Sequence, residues 1–213
     1  MSNTHQVFEP LTVLTAQAAL LRGANMDTDQ IIPARFLKKD RAQGYGQYLF
    51  YDARFDQAQA VRTEHPLNAQ PTPKIIVVED NFGCGSSREG AVYALVDYGI
   101  RVVIGTTFGD IFHNNCFKNG VLPVKLQAAD HQRLLEHMQQ GGAAITVDLV
   151  QQTLDWQKGQ ASFEIDAFWK KCLTQGLDEL SLTLTHQADI EQFEKRYEAA
   201  YPWLVPSSPA REA

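Results

Sequence analysis

Two short aliphatic runs constrain this chain more than any other feature: Ile75–Val78 and the stretch at 101–104 that ends in Val102, Val103 and Ile104. Each is too short for a helix and apolar at nearly every position, the pattern of a strand buried on both faces. Between them Ala91, Ala94, Leu95 and Tyr98 recur at helical spacing, and Gly99 stands where a C-terminal cap belongs. A helical turn over 110–117 stops at Asn119-Gly120, a strand follows at 121–126, and an amphipathic helix at 128–139 ends on Gly141-Gly142. Alternating strands and helices give an α/β class.

Outside this region the signals are weaker. Residues 8–14 read as a first strand, followed by a polar turn at 22–29. Two strand-like runs, 144–149 and 162–165, flank a polar turn at Lys158-Gly159. Asp166 and Gly176 bracket a helix as N-cap and C-cap, and 189–200 reads as the last helix. The segment 43–74, with Gly44, Gly46, Pro66, Pro71 and Pro73 and little periodicity, reads as a long loop excursion. Loops of that length are usually functional or disordered. The expectation is one domain over 1–201 and a frayed tail over 202–213.

Composition narrows the function classes. With 213 residues, 44% hydrophobic and 21% charged, the chain has enough apolar surface to fold. A net charge of −6 makes nucleic acid a poor partner. The aliphatic runs fall far short of the ~18 residues that span a bilayer, and nothing resembles a secretory leader, so a cytoplasmic chain is expected. Cys84, Cys116 and Cys172 have neither disulfide-framework nor cluster-ligand spacing, so no metal is expected on this chain.

The chemistry concentrates in Glu79–Ala91, EDNFGCGSSREGA, between a buried strand and a helix. Gly83 and Gly85 permit close backbone approach to a ligand. Helix N-termini favour anions, so Arg88 is locally of the wrong sign unless it holds an anionic ligand bidentately. Ser86 and Glu89 also spell S-x-x-E, a capping box that needs no function. A second motif, Asn25–Pro33 (NMDTDQIIP), places Asp27 and Asp29 around Thr28. It reads as an Asx turn, or as carboxylates that orient a histidine or bind a cation.

Together, Asp27–Pro33 and Gly85–Glu89 resemble the swivelling β/β/α domain of the aconitase superfamily. Further stretches narrow the resemblance: Tyr48–Phe55, Asn81–Glu89, Phe108–Phe112, Leu122–Lys125 and Phe163–Asp178. Running from about Val7 to Tyr197, they are similar to the small-subunit family of 3-isopropylmalate dehydratases. That family's fold is an aconitase-type swivelling domain, here with the long loop excursion. The resemblance implies a hydro-lyase of leucine biosynthesis whose [4Fe–4S] cluster sits in a separate large subunit, with which this chain forms a heterodimer or higher heteromer around a small dicarboxylate. It implies Ser86 as the base that takes the proton α to a carboxylate, Ser87 and Arg88 as carboxylate binders, and Thr28 and Asp29 as residues facing the large subunit, Asp29 orienting a histidine there. Arg41 is implied as a second carboxylate arginine, and Tyr48, Leu49 and Phe50 as the lining of an apolar pocket that selects the alkyl group. Gly90 departs from the family's usual histidine, which leaves room for a citraconate, dimethylmaleate or homoaconitate hydratase. A non-catalytic domain that holds an anion at Arg88 is the reading from another class.

Overall fold

The computed structural model describes residues 7–204. Its strands are β1 (Val13–Leu21), β2 (Ile75–Val78), β3 (Val102–Gly105), β4 (Leu122–Lys125), β5 (Ala144–Asp148), β6 (Thr153–Trp156) and β7 (Gly159–Ser162). They form one seven-stranded sheet in the order β4-β3-β2-β1-β5-β6-β7. The long strand β1 joins two regimes. Its second half, from Ala18, pairs parallel with β2, while Val13–Gln17 pairs antiparallel with β5. From β1 to β4 all pairings are parallel, and from β1 to β7 all are antiparallel.

Every residue of β2 and β3 is buried. Alternate side chains supply two cores, as the period of two demands. Ile76, Val78 and Val103 face one, while Ile75, Val77, Val102 and Ile104 face the other. The helices are α1 (Thr28–Ile31), α2 (Tyr51–Arg54), α3 (Glu89–Tyr98), α4 (Asp110–Lys118), α5 (Ala128–Gln139), α6 (Ala167–Gln175), α7 (Glu179–Leu184) and α8 (Gln187–Ala200). Ala91, Val92, Ala94 and Leu95 of α3 lie in the first core, and Leu134 of α5 lies in the second.

Several expectations need correction. The first strand is 13–21, not 8–14, because β1 draws its partners from both halves of the sheet rather than from its own propensity. Of the strand expected at 162–165 only Ser162 is in a strand, as the last residue of the hairpin β6–β7, where Leu154, Trp156 and Ala161 turn inward and the outer face is polar. Residues 43–74 are not a loose loop. Tyr45, Gly46, Leu49, Phe50 and Leu67 are buried there, and a Cβ on Gly46 would lie 2.6 Å from the Asp97 carbonyl oxygen. Arg54 donates to the carbonyls of Gly46 (3.3 Å) and Leu49 (3.1 Å) and to Asn68 Oδ1 (2.9 Å). The amide of Asn68 donates back to the Arg54 and Arg62 carbonyls. Side chains thus satisfy the buried backbone where no ladder exists. Most of the tail expected to fray, residues 205–213, lies outside the described residues.

Candidate active site

Two motifs far apart in sequence meet at the carboxyl ends of β1 and β2. The strands pair with Ala18 opposite Ile75. After both chain segments leave the sheet, an isolated bridge sets Asp27 opposite Cys84, the same offset of 57 residues. The parallel ladder therefore resumes in its original register. Asn25 N–H donates to the Asp80 carbonyl (2.8 Å), Gly83 N–H to Met26 (2.7 Å), and Thr28 N–H to Cys84 (3.1 Å). The Asn81 amide also donates to Asn25 Oδ1 at 2.7 Å.

Gly83 makes this approach possible. Its φ is +71°, and a Cβ there would collide with the Phe112 ring. Beyond it Ser86 and Ser87 are exposed, and α3 begins at Glu89 with Arg88 as N-cap. The capping box expected from Ser86 and Glu89 is absent: the N-cap lies two residues after Ser86, and no side chain caps the helix. Glu89 instead accepts from Asn119 Nδ2 at 3.0 Å. The first turn of α3 thus offers its N–H groups and positive dipole end beside two free hydroxyls. Arg88 forms an ion pair with Asp29. The two residues expected at the site by resemblance are thereby joined within one chain.

Thr28 is turned inward instead of towards a partner. It is 1% exposed, and its hydroxyl donates to the Ser86 carbonyl at 3.1 Å. Arg41 stands farther along α3, with its guanidinium 3.7 Å above the Tyr93 ring and 3.6 Å from Asp97. Leu49 has 0% exposure and belongs to the core rather than to an exposed pocket wall. Tyr48 is half-buried and stacks on Phe36 at 4.2 Å between ring centroids. Phe50, in a left-handed conformation (φ 47°), reaches a cleft of about 800 Å³. Asp27, Asp29, Gln30, Met26 and His65 line the same cleft.

Sequence reasoning left His65 without a role, since a lone histidine in a proline-rich stretch carries no signal. Burial, and then the nearby Arg54 charge, push its pKa down. Asp27 caps α1 by accepting from Gln30 N–H at 2.8 Å. At Gly90 a Cβ would stand 2.7 Å from Leu37 Cδ2, so the missing side chain lets Leu37 settle on the first turn of α3. Among the described residues no group of three His, Cys, Asp or Glu is arranged to hold a metal ion. Cys116 and Cys172 are buried in different places and Cys84 lies in the site loop, so the cysteines do not fit a cluster.

Known proteins are similar to this chain along most of its length. The aconitase C-terminal domain family matches residues 9–129, and the C-terminal domain family of the 3-isopropylmalate dehydratase small subunit matches 181–207. The 3-isopropylmalate dehydratase small subunit of Halalkalibacterium halodurans is 48% identical over 190 residues, covering 87% of this chain and 97% of that one. The Bacillus subtilis small subunit is 45% identical, covering 88% and 96%. The crystal structure of 3-isopropylmalate dehydratase from Methanocaldococcus jannaschii superposes with a TM-score of 0.64 over 85% of this chain and 99% of that chain, at 22% identity, and so speaks for the fold. A sheet whose β1–β2 ladder resumes to join the two motifs, and relatives alike over nearly their whole lengths, lead to one assignment: the chain belongs to the 3-isopropylmalate dehydratase small-subunit family of the aconitase superfamily.

Proposed function

We propose that this chain is the part of a two-chain hydro-lyase that carries the base and a carboxylate-binding arginine. The enzyme interconverts 2-isopropylmalate and 3-isopropylmalate through 2-isopropylmaleate, and it works only with a large subunit. One observation carries the reading: two exposed serines precede an uncapped ten-residue helix, beside an arginine whose one in-chain anion partner among the described residues is Asp29. The [4Fe–4S] cluster belongs to the large subunit, where it supplies Lewis-acid binding of the substrate hydroxyl and carboxylate.

On this chain Arg88 holds a substrate carboxylate. Only Nη1 of the guanidinium is taken by Asp29, which leaves donors for a second, bidentate anion. Asp29, which lines the cleft, holds the guanidinium. Ser86 takes the proton α to that carboxylate, and Ser87 donates to a carboxylate oxygen. A hydrated serine cannot do this alone. A helix N-terminus contributes at most ~2 kcal/mol, about 1.5 pK units, against a hydroxyl that ionises far above neutrality. Exclusion of water by the large subunit must strengthen Arg88 and the α3 N–H groups, as in an oxyanion hole. The isolated chain is therefore inert.

The test is Ser86→Ala assayed with the large subunit. Loss of the base should lower kcat by ~10²–10⁴. Because Ser86 is not the N-cap of α3, stability should stay within about 0.5 kcal/mol of the parent. Near-normal kcat would remove Ser86 as the base. Arg88→Lys should chiefly raise KM, since a point charge cannot replace a planar fork. Gly90 favours a second reading, a related hydratase whose substrate differs in its alkyl group. Relative kcat/KM for isopropylmalate and citramalate separates the two.

A further inference from the structure

Among the described residues, the C-terminal arm of the chain covers nothing. Every residue from Thr183 to Leu204 is exposed, and α8 contributes no buried side chain. Yet α8 is not polar all round. Ile190, Phe193, Tyr197 and Tyr201 recur at intervals of three, four and four residues, which places them along one helical face. Phe193 and Trp203 are 58% and 74% exposed. Their rings form a ladder, with centroids 5.7 Å apart from Phe193 to Tyr197, 4.9 Å to Tyr201 and 5.7 Å on to Trp203. A 14-residue helix standing alone in water is marginal, and packing of an apolar face is what usually stabilises it. This face is therefore built to be covered.

We propose that α7 and α8 form a docking arm for the large subunit, whose surface presents an apolar groove with a basic rim. The inference rests on the two-chain reading above. Three observations bear on the occupant, of which charge and placement choose the large subunit over a second copy of the same chain. The first is charge. Helix α8 carries Asp189, Glu191, Glu194 and Glu198 against Lys195 and Arg196, so two copies laid face to face would oppose like charges. The second is area. The exposed apolar side chains of α7, α8 and the following turn amount to roughly 800 Å², what one partner contributes to an interface of standard size.

The third observation is placement. Lys118 of α4 holds Glu179 at the start of α7 (3.1 Å), and its neighbour Asn119 donates to Glu89 in the first turn of α3. The arm is thus rooted beside the helix that follows Arg88, continuous with the face that the large subunit would cover. The aconitase-domain match ends at residue 129, whereas the arm falls in the match particular to the small subunit, residues 181–207. A domain that must find its partner from solution needs contact area that a tethered domain does not.

The experiment titrates the full chain against the large subunit, reading complex formation by sedimentation and activity at each concentration. The variant is Ile190→Ser/Phe193→Ser/Tyr197→Ser, all on the exposed arm. Its Kd for the large subunit should rise at least tenfold, while kcat at saturating large subunit stays within twofold. A second variant, Glu194→Lys/Glu198→Lys, should weaken assembly in the same way without touching the apolar face. Unchanged Kd in both variants, with the parent pair assembling and active, would overturn the arm and leave the two-chain reading standing. A parent chain that dimerises by itself, and a triple-serine variant that is monomeric, would hand the face to a second copy and overturn the proposal. No complex and no activity from the parent pair would instead remove the two-chain reading beneath it.

Discussion

A side-chain hydroxyl adds to the backbone bonds that tie the serine loop to the neighbouring motif, because Thr28 Oγ1 donates to the Ser86 carbonyl from inside the protein. Thr28→Val keeps the volume and removes the bond. Since that carbonyl also accepts from Arg88 N–H at 2.8 Å, stability should fall by only about 1 kcal/mol. In our reading kcat should fall roughly tenfold, because loose positioning of a reacting group is felt in the rate. Thr28→Ser should restore kcat, whereas a purely structural role would leave kcat unchanged in both variants. At Leu49, with 0% exposure, arginine would place an unpaired charge in the core. Leu49→Arg should therefore lower soluble yield and Tm rather than shift substrate preference, as thermal melts would show.

At the scale of elements, the strand–loop–helix unit β2–α3 is legible in its residues alone. Continuous burial marks the strand, helical spacing marks α3, and Gly99, at φ 102°, closes the helix as expected. The helix α6 is equally plain, with Asp166 accepting from Phe168 N–H at 2.8 Å and Gly176 left-handed. The start of α3 is where the residue pattern misleads. S-x-x-E satisfies the capping rule, but in the fold the backbone reaches the helix two residues later, because Ser86 is held by Thr28. Gly83 shows the same dependence on a neighbour. Gly83→Ala should cost about 2–4 kcal/mol, from a left-handed backbone and from overpacking against Phe112. Denaturant unfolding would show it as a lower midpoint with the slope unchanged.

For the molecule as a whole, acid is the condition most apt to loosen it. His113 lies between the Phe108 and Phe117 rings, at 5.8 and 5.0 Å between centroids. Burial first, and then the Lys125 charge, lower its pKa to about 4, with Asp110 opposing. The unfolded chain takes up this proton near pH 6.5 and the folded chain only near pH 4. Stability from His113 is thus complete above pH 6.5 and is lost as pH falls towards 4. His65 and His131 shift in the same direction. Partial exposure keeps the His113 contribution to about 1–3 kcal/mol. Tm should decline between pH 6.5 and 4, and His113→Gln should flatten that decline; a parallel decline would assign it to other groups.

By itself the sequence determined the strands β2 to β4, the helices α3 to α6, and the presence of a loop between β2 and α3. Burial on both faces, helical spacing and glycine caps are local properties, written where they act. Only the tertiary structure decided which motifs meet. The β1–β2 ladder resumes at Asp27 and Cys84 with its offset unchanged, and this brings Asp29 to Arg88 and Thr28 to Ser86. It also decided that 43–74 is packed through Arg54 and Asn68, that Leu49 is core, and that Arg41 stands by Tyr93. The contacts of Asp29, Thr28 and Arg41 join distant residues, and no window along the chain contains both partners; the Arg54–Asn68 pair lies within one, but it is a side-chain pairing that periodicity does not signal.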